Sequence, residues 1–220
     1  MSIQDGPTVR RPRIPDVTIK RLPIYLRVLD RMREQGVDIV SSAELARQSG
    51  FTSEQIRKDL AYFGAFGTRG VGYSVAMLSD RIRRILGLHR EVPAALVGAG
   101  HLGTALARYN LTRPQAVRIV AIFDADPDKV GSLIETVPIS PMDAMEDIVR
   151  EKGVRLAILT VPASVAQTVA ERLVRAGVEA ILNFAPAQLR LPPGVQVQPI
   201  DLSLELESLS YYVAGERVSG

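Results

Sequence analysis

Gly98, Gly100 and Gly103, spaced Gly-x-Gly-x-x-Gly, and the carboxylate of Asp124 are the residues whose types and spacing point most directly to chemistry. The apolar run 94–97 before the glycines reads as a buried parallel strand, and 104–109 after them as a helix. In such a strand–turn–helix the first glycine permits the tight turn and the second lets backbone N–H groups approach a pyrophosphate. The third lets helix and strand pack closely. The diphosphate would rest on the helix N-terminus, where unpaired N–H groups and the helix dipole favour an anion. Ala99, His101 and Leu102 complete this candidate cofactor turn. Asp124 ends a second apolar strand, 117–123, and lies 21 positions after Gly103. That is about the spacing at which a carboxylate accepts hydrogen bonds from adenosine ribose hydroxyls. No Arg or Lys follows Asp124 until Lys129, so a 2′-phosphate would meet negative charge. The turn is therefore expected to take NADH or NAD⁺ rather than a 2′-phosphorylated dinucleotide.

A second group of residues points to a polyanion. Ser41 and Glu44 form a capping box, expected to be reciprocal, at the start of a short helix that Gly50 closes. Thr52 and Gln55 open another directly after it. Two short helices joined by a tight turn, after a longer helix over 18–35 closed by Gly36, make a helix-turn-helix pattern. The second short helix would lie in the major groove, with Ile56, Leu60 and Phe63 inward and Arg57 and Lys58 on another face. Residues 63–75 carry four glycines among aromatic and β-branched residues and read as a hairpin with Arg69 at its tip, the wing of such a module. The candidate DNA contacts are Ser53, Gln55, Arg57, Lys58 and Tyr62 on the helix side and Arg69 and Gly70 on the wing. A helix over 78–88 is expected to link the wing to the rest of the chain.

The elements needed to position these groups are consistent with the composition. The 220 residues can bury a proper core, and the net charge of +3 divides unevenly. Residues 1–90 carry 16 Lys and Arg against 9 Asp and Glu, and residues 91–220 carry 11 against 15. A basic first part on an acidic remainder places the polyanion partner on the first part alone. There are no cysteines, which excludes thiol catalysis and cysteine metal sites, and the two histidines, His89 and His101, form no metal-binding pattern. No metal is expected. With no apolar run of 18 residues and no leader-like start, the chain is expected to be soluble and cytoplasmic.

Beyond Asp124, strands are expected over 137–139, 155–161, 180–184 and 195–198, with helices over 142–152 and 164–176. Strands alternating with helices predict a doubly wound parallel sheet, with ligands beyond the carboxyl ends of its strands. This adds Thr160, Val161 and Pro162, and Asn183, Phe184 and Ala185, to the candidate cofactor site. Residues 201–214 read as a helix too apolar to stand alone in water. The predicted fold is thus α/β in two domains. Residues 1–17 form a mobile N-terminal tail, 18–90 a winged helix-turn-helix, 91–200 a Rossmann domain, and 201–220 a C-terminal helix and tail.

The runs 57–64, 70–73 and 97–103, then 123–127, 161–163 and 181–186, resemble the Rex family of redox-sensing repressors, in that family's order. The resemblance covers nearly everything from Thr18 to Tyr212. It implies a homodimer whose C-terminal helices are exchanged between subunits and reach toward the partner's nicotinamide. It also implies a switch in which Tyr109, beside the cofactor, bonds alternately to an aspartate of the swapped helix, here Asp201, and to an arginine of the first DNA-binding helix, here Arg27. NADH would favour the dimer shape that releases a palindromic operator, so repression would hold while NADH is scarce, on genes of respiration or NADH reoxidation.

A dehydrogenase would instead need a proton donor or acceptor beside the nicotinamide. His101 sits at the phosphate end, and Tyr109 is the one residue placed for proton chemistry. The chain is accordingly expected to be a sensor, not an enzyme. Two alternatives stay open: a helix-turn-helix regulator responding to a coenzyme A derivative, and a small NAD-linked oxidoreductase.

Overall fold

Apolar residues at helical spacing fold Asp16–Glu34 into α1, which buries Leu22, Tyr25, Leu26, Leu29 and Met32. The computed structural model describes residues 14–64, 67–68, 70–114 and 116–213. They fall into two units, divided between His89 and Arg90. Arg69 and residues 1–13 of the expected tail lie outside the described residues, whereas Asp16 and Val17, expected in that tail, already belong to α1 because the helix starts directly after Pro15.

In the first unit α1 runs on through Pro23 and ends before Gly36, whose φ of 75° reverses the chain. A two-residue strand, β1 (Ile39–Val40), leads into α2 (Ser42–Ser49). After Gly50, at φ 78°, comes α3 (Ser53–Ala61). Ser41 Oγ accepts from Glu44 N and Thr52 Oγ1 from Gln55 N, each at 3.1 Å, so both helices start where the caps predict. The first cap is not reciprocal. The Glu44 carboxylate turns to the Arg47 cation and the Gln48 amide, one turn further on, instead of the Ser41 N–H.

The wing is β2 (Gly67–Thr68) and β3 (Gly72–Ser74), antiparallel, with β1 paired on the other edge of β3. Sequence reading missed β1, since two residues are too few to show a period. Gly72, at φ 108°, lets β3 come so close to β1 that a Cβ there would meet Val40 O at 2.6 Å. The following helix, α4, is Val75–Ile85, three residues earlier at each end than expected, because Ser74 caps it at once. α1, α2, α3 and α4 close on one core that includes Tyr25, Leu45, Ile56, Leu60, Leu78 and Ile82.

The second unit begins β4 (Val92–Val97), α5 (His101–Leu111), β5 (Val117–Asp124), β6 (Leu133–Ile134) and β7 (Val137–Pro141). A 3-10 turn over Met142–Ala144 and α6 (Met145–Glu151) occupy the span expected to be one helix. Then follow β8 (Leu156–Leu159), α7 (Ala163–Arg175), β9 (Ala180–Asn183), β10 (Gln196–Pro199) and α8 (Leu202–Val213). The sheet order is β10-β9-β8-β4-β5-β7-β6, parallel throughout except for the β6–β7 hairpin at one edge.

Both faces of this sheet are covered, which explains its continuous apolar strands. Ala95, Val97 and Phe123 pack with α6 and α7 residues such as Val149 and Leu173, while Leu96 and Ile122 pack with Ala107 of α5. The chain leaves β4 toward β5 on one side and β8 lies on the other, so the switch point of the sheet falls between β4 and β8.

Candidate functional site

The glycine turn occupies that switch point. Gly98 stands at φ 100°, and a Cβ there would meet Thr160 O at 2.6 Å. A Cβ on Gly103 would meet Gly98 O at 1.9 Å, so α5 rests directly on the turn. Gly100 is the N-cap of α5 and faces open space, the approach a diphosphate needs. His101 opens the helix instead of sitting in the turn, since Gly100 already has the extended backbone of a cap. The Thr160 hydroxyl, 2.7 Å from Gly98 O, ties the end of β8 to the same turn.

Asp124 is 9% exposed. Its Oδ2 accepts from Ala99 N at 2.6 Å and its Oδ1 from Asp126 N at 2.8 Å. These bonds hold the carboxylate in the wall of a cavity of about 920 Å³. Gly98, Gly100, Asp124, Thr160, Val161 and Pro162 all line it. Sequence reading missed the rest of its wall, notably Met142, Val165 and Val169 with Lys129 and Arg172. Val165 and Val169, four apart on α7, were a legible apolar pair with no sign of which face it lined. Arg172 is not a free cation: it bonds both oxygens of Glu146, at 2.6 and 2.7 Å, and holds that carboxyl below its usual range.

A second cavity, about 500 Å³, opens past the first turn of α5. Leu102, Asn183, Phe184 and Ala185 line it, together with Ile200 and Asp201 at the start of α8. Asn183 is buried; its side chain donates to Ala187 O and accepts from Ala185 N, which fixes the loop after β9. Tyr109 lies on the last turn of α5, 56% exposed, and lines neither cavity. The Arg113 guanidinium covers its ring at 4.3 Å. Asp201 Oδ1 accepts from Ser203 N and thereby caps α8. Every residue of α8 is exposed in the single chain, including Leu204, Leu206, Leu209 and both tyrosines.

In the first unit Arg57 and Lys58 are exposed on α3, with Ser53, Gln55 and Tyr62 part-exposed along it. Arg57 Nη1 donates to Ser42 Oγ at 2.8 Å, which spreads the guanidinium across the start of α2. Gly70, exposed and at φ 84°, makes the turn of the wing. Arg27 is exposed on α1.

Behind this surface Asp59 of α3 is buried, and sequence reading did not single it out. Its carboxylate accepts from Arg21 at 2.6 and 2.7 Å, from Tyr25 at 2.7 Å and from Thr18 at 3.0 Å. Burial alone would raise the Asp59 pKa. The bonds from Arg21, Tyr25 and Thr18 outweigh it and hold the carboxyl below its usual range. Burial and the neighbouring carboxylate push the Tyr25 phenol far up.

A helix-turn-helix with a short wing, and a parallel sheet with a glycine turn and a carboxylate at its switch point, define a DNA-binding module joined to a nucleotide-binding one. The family described as "Putative DNA-binding protein N-terminus" matches residues 13–61, and that described as "CoA binding domain" matches 89–187. The redox-sensing transcriptional repressor Rex of Natranaerobius thermophilus is 49% identical over 94% of this chain and 94% of its own. Among solved structures, RSP, a Rex-family repressor, in complex with β-NAD⁺ and operator DNA, matches with a TM-score of 0.87 at 36% identity, over 93% of this chain and 94% of that one. RSP in complex with β-NADH matches at 0.82 and 35%, over 94% and 97%. The chain belongs to the Rex family of redox-sensing transcriptional repressors.

Proposed function

We infer that this protein is a transcriptional repressor that senses the balance of NADH and NAD⁺, binding an operator through its first unit and releasing it when NADH enters the second. The observation that carries this is the likeness, over both units, to a Rex-family repressor solved with β-NAD⁺ and operator DNA. The adenosine ribose would bond to Asp124 and the diphosphate would rest on Gly98, Ala99, Gly100 and His101, with Gly103 holding α5 beneath it. The nicotinamide would enter the cavity of Leu102, Asn183, Phe184 and Ala185, beside Thr160, Val161 and Pro162. Discrimination between the uncharged ring of NADH and the cation of NAD⁺ would fall to this cavity, where Leu102, Phe184 and Ala185 stand beside the polar Asn183 and Asp201.

Arg57 and Lys58, supported by Ser53, Gln55, Tyr62, Arg69 and Gly70, would contact DNA. Two copies would pair through α8, whose apolar side chains are exposed in one chain alone. Tyr109 would exchange between Asp201 and Arg27 as the dimer changes shape. The Rex relatives are named as repressors, which supports reading this protein as an effector-binding regulator.

The deciding experiment is fluorescence anisotropy of a labelled operator, titrated with NADH and separately with NAD⁺ at fixed salt. Release by NADH at concentrations where NAD⁺ leaves the complex intact is the expected result. No response to either nucleotide overturns the reading. A second reading, a coenzyme A derivative as effector, is favoured by the family match over 89–187. Asp124 speaks against it, because coenzyme A carries a phosphate on the ribose edge that this carboxylate faces.

A further inference from the structure

Lys129 follows β5 by one short turn and lines the same cavity as Gly98, Gly100 and Asp124. Its Nζ stands 3.6 Å from Asp124 Oδ1 and 3.3 Å from Asp126 Oδ2, so its charge is shared between two carboxylates. Asp124 also accepts from the N–H groups of Ala99 and Asp126. The place of the Asp124 carboxylate is therefore ringed by two backbone donors and an ammonium. That is the donor set of an anion site, and its occupant is part of the protein.

We propose that Lys129 is a specificity-determining residue, the cation of a latent 2′-phosphate subsite that the Asp124 carboxylate fills. The inference rests on the reading of this cavity as a dinucleotide site and deepens it. The chain discriminates against NADPH because one carboxylate occupies the anion position, not because phosphate-binding groups are missing. A 2′-phosphate brought to the wild-type site meets Asp124 head-on, and the Lys129 ammonium is committed to Asp124 and Asp126. Without the Asp124 carboxylate, the two N–H donors and the ammonium turn to whatever anion the ribose edge carries, with Asp126 left as a weaker competitor.

The test titrates NADH and NADPH, followed by nucleotide fluorescence, into wild type, Asp124→Ser, Asp124→Ser/Lys129→Gln, Asp126→Asn and Asp126→Asn/Lys129→Gln. Serine is one bond too short to fill the anion position, so it leaves the N–H groups of Ala99 and Asp126 to the phosphate. Asp124→Ser is expected to gain at least about tenfold in NADPH affinity, on the scale of one charge-assisted hydrogen bond, and the added Lys129→Gln to remove that gain.

Where Asp124→Ser does not fold, as judged by circular dichroism, Asp126→Asn replaces it. That variant leaves the glycine turn untouched and frees Lys129 from its nearer carboxylate. It is expected to gain a few-fold for NADPH, lost again in Asp126→Asn/Lys129→Gln. Folded variants that gain nothing for NADPH, or whose gain survives Lys129→Gln, overturn the proposal. Wild type that fails to bind NADH overturns the underlying site reading instead, so the two failures are distinct.

Discussion

At the scale of single residues the nucleotide turn has no spare volume. Gly103→Ala would put a methyl group 1.9 Å from Gly98 O, and neither β4 nor α5 can retreat without breaking the sheet face. The substitution should cost about 1–3 kcal/mol or more in stability and abolish NADH binding, both measurable by thermal melts with and without NADH. Gly100→Ala meets nothing in the protein, so it should leave the melting temperature alone while weakening NADH binding by crowding the diphosphate.

Asp59 is the corresponding residue of the first unit. Replacing it with Asn leaves Arg21, whose side chain is 12% exposed, without its counter-charge. A loss of about 3 kcal/mol follows from removing one partner of a buried pair, and denaturant melts would read it. The pH dependence has a definite sign. The folded carboxyl is held below its unfolded value near 4, so its contribution is present above about pH 4 and lost as pH falls through the folded value. Wild type should lose stability steeply on the acid side and Asp59→Asn less steeply.

At the scale of elements the same cluster has a further consequence. Thr18, Arg21 and Tyr25 lie on α1 and Asp59 on α3, so the four groups fix the rotation and depth of the helix read here as the DNA-reading one. Arg21→Met should therefore lower operator affinity even where the fold persists, without changing the salt dependence of binding. Lys58→Ala touches only the exposed face and should do the reverse, reducing the slope of log affinity against log salt by about one. Anisotropy titrations at three salt concentrations separate the two. If both variants change the slope alike, α3 is not held in place by this cluster.

At the scale of the whole molecule, regulation needs a difference in affinity between two shapes. Moving a population from 1:99 to 99:1 takes about a 10⁴-fold preference of the effector for one shape, and equal binding of NADH and NAD⁺ would shift nothing. The dimer supplies the two shapes in this reading, and α8 forms it. Removing 201–220 should convert a dimer into a monomer in sedimentation velocity and weaken operator binding, because a palindrome then loses the linkage between its half-sites. A full-length chain that sediments as a monomer at micromolar concentration would remove α8 from that role.

The sequence by itself determined the α/β class, the helix-turn-helix with its caps at Ser41 and Thr52, the glycine turn and the carboxylate of Asp124. Each is a local matter: a cap, a positive φ or a fixed spacing is decided within a few residues, and burial of both sheet faces writes itself as continuous apolar runs. What only the tertiary structure decided are the pairings between distant segments. Asp59 with Arg21 and Tyr25, the third wing strand at Ile39–Val40, and Val165 and Val169 across the cavity from Asp124 belong here. So does Lys129 between two aspartates, close in sequence yet readable as a bridge only once β5 ends and the chain turns back. An ionic partner chosen from more than thirty positions away leaves no period and no motif, because its energy depends on where two helices cross.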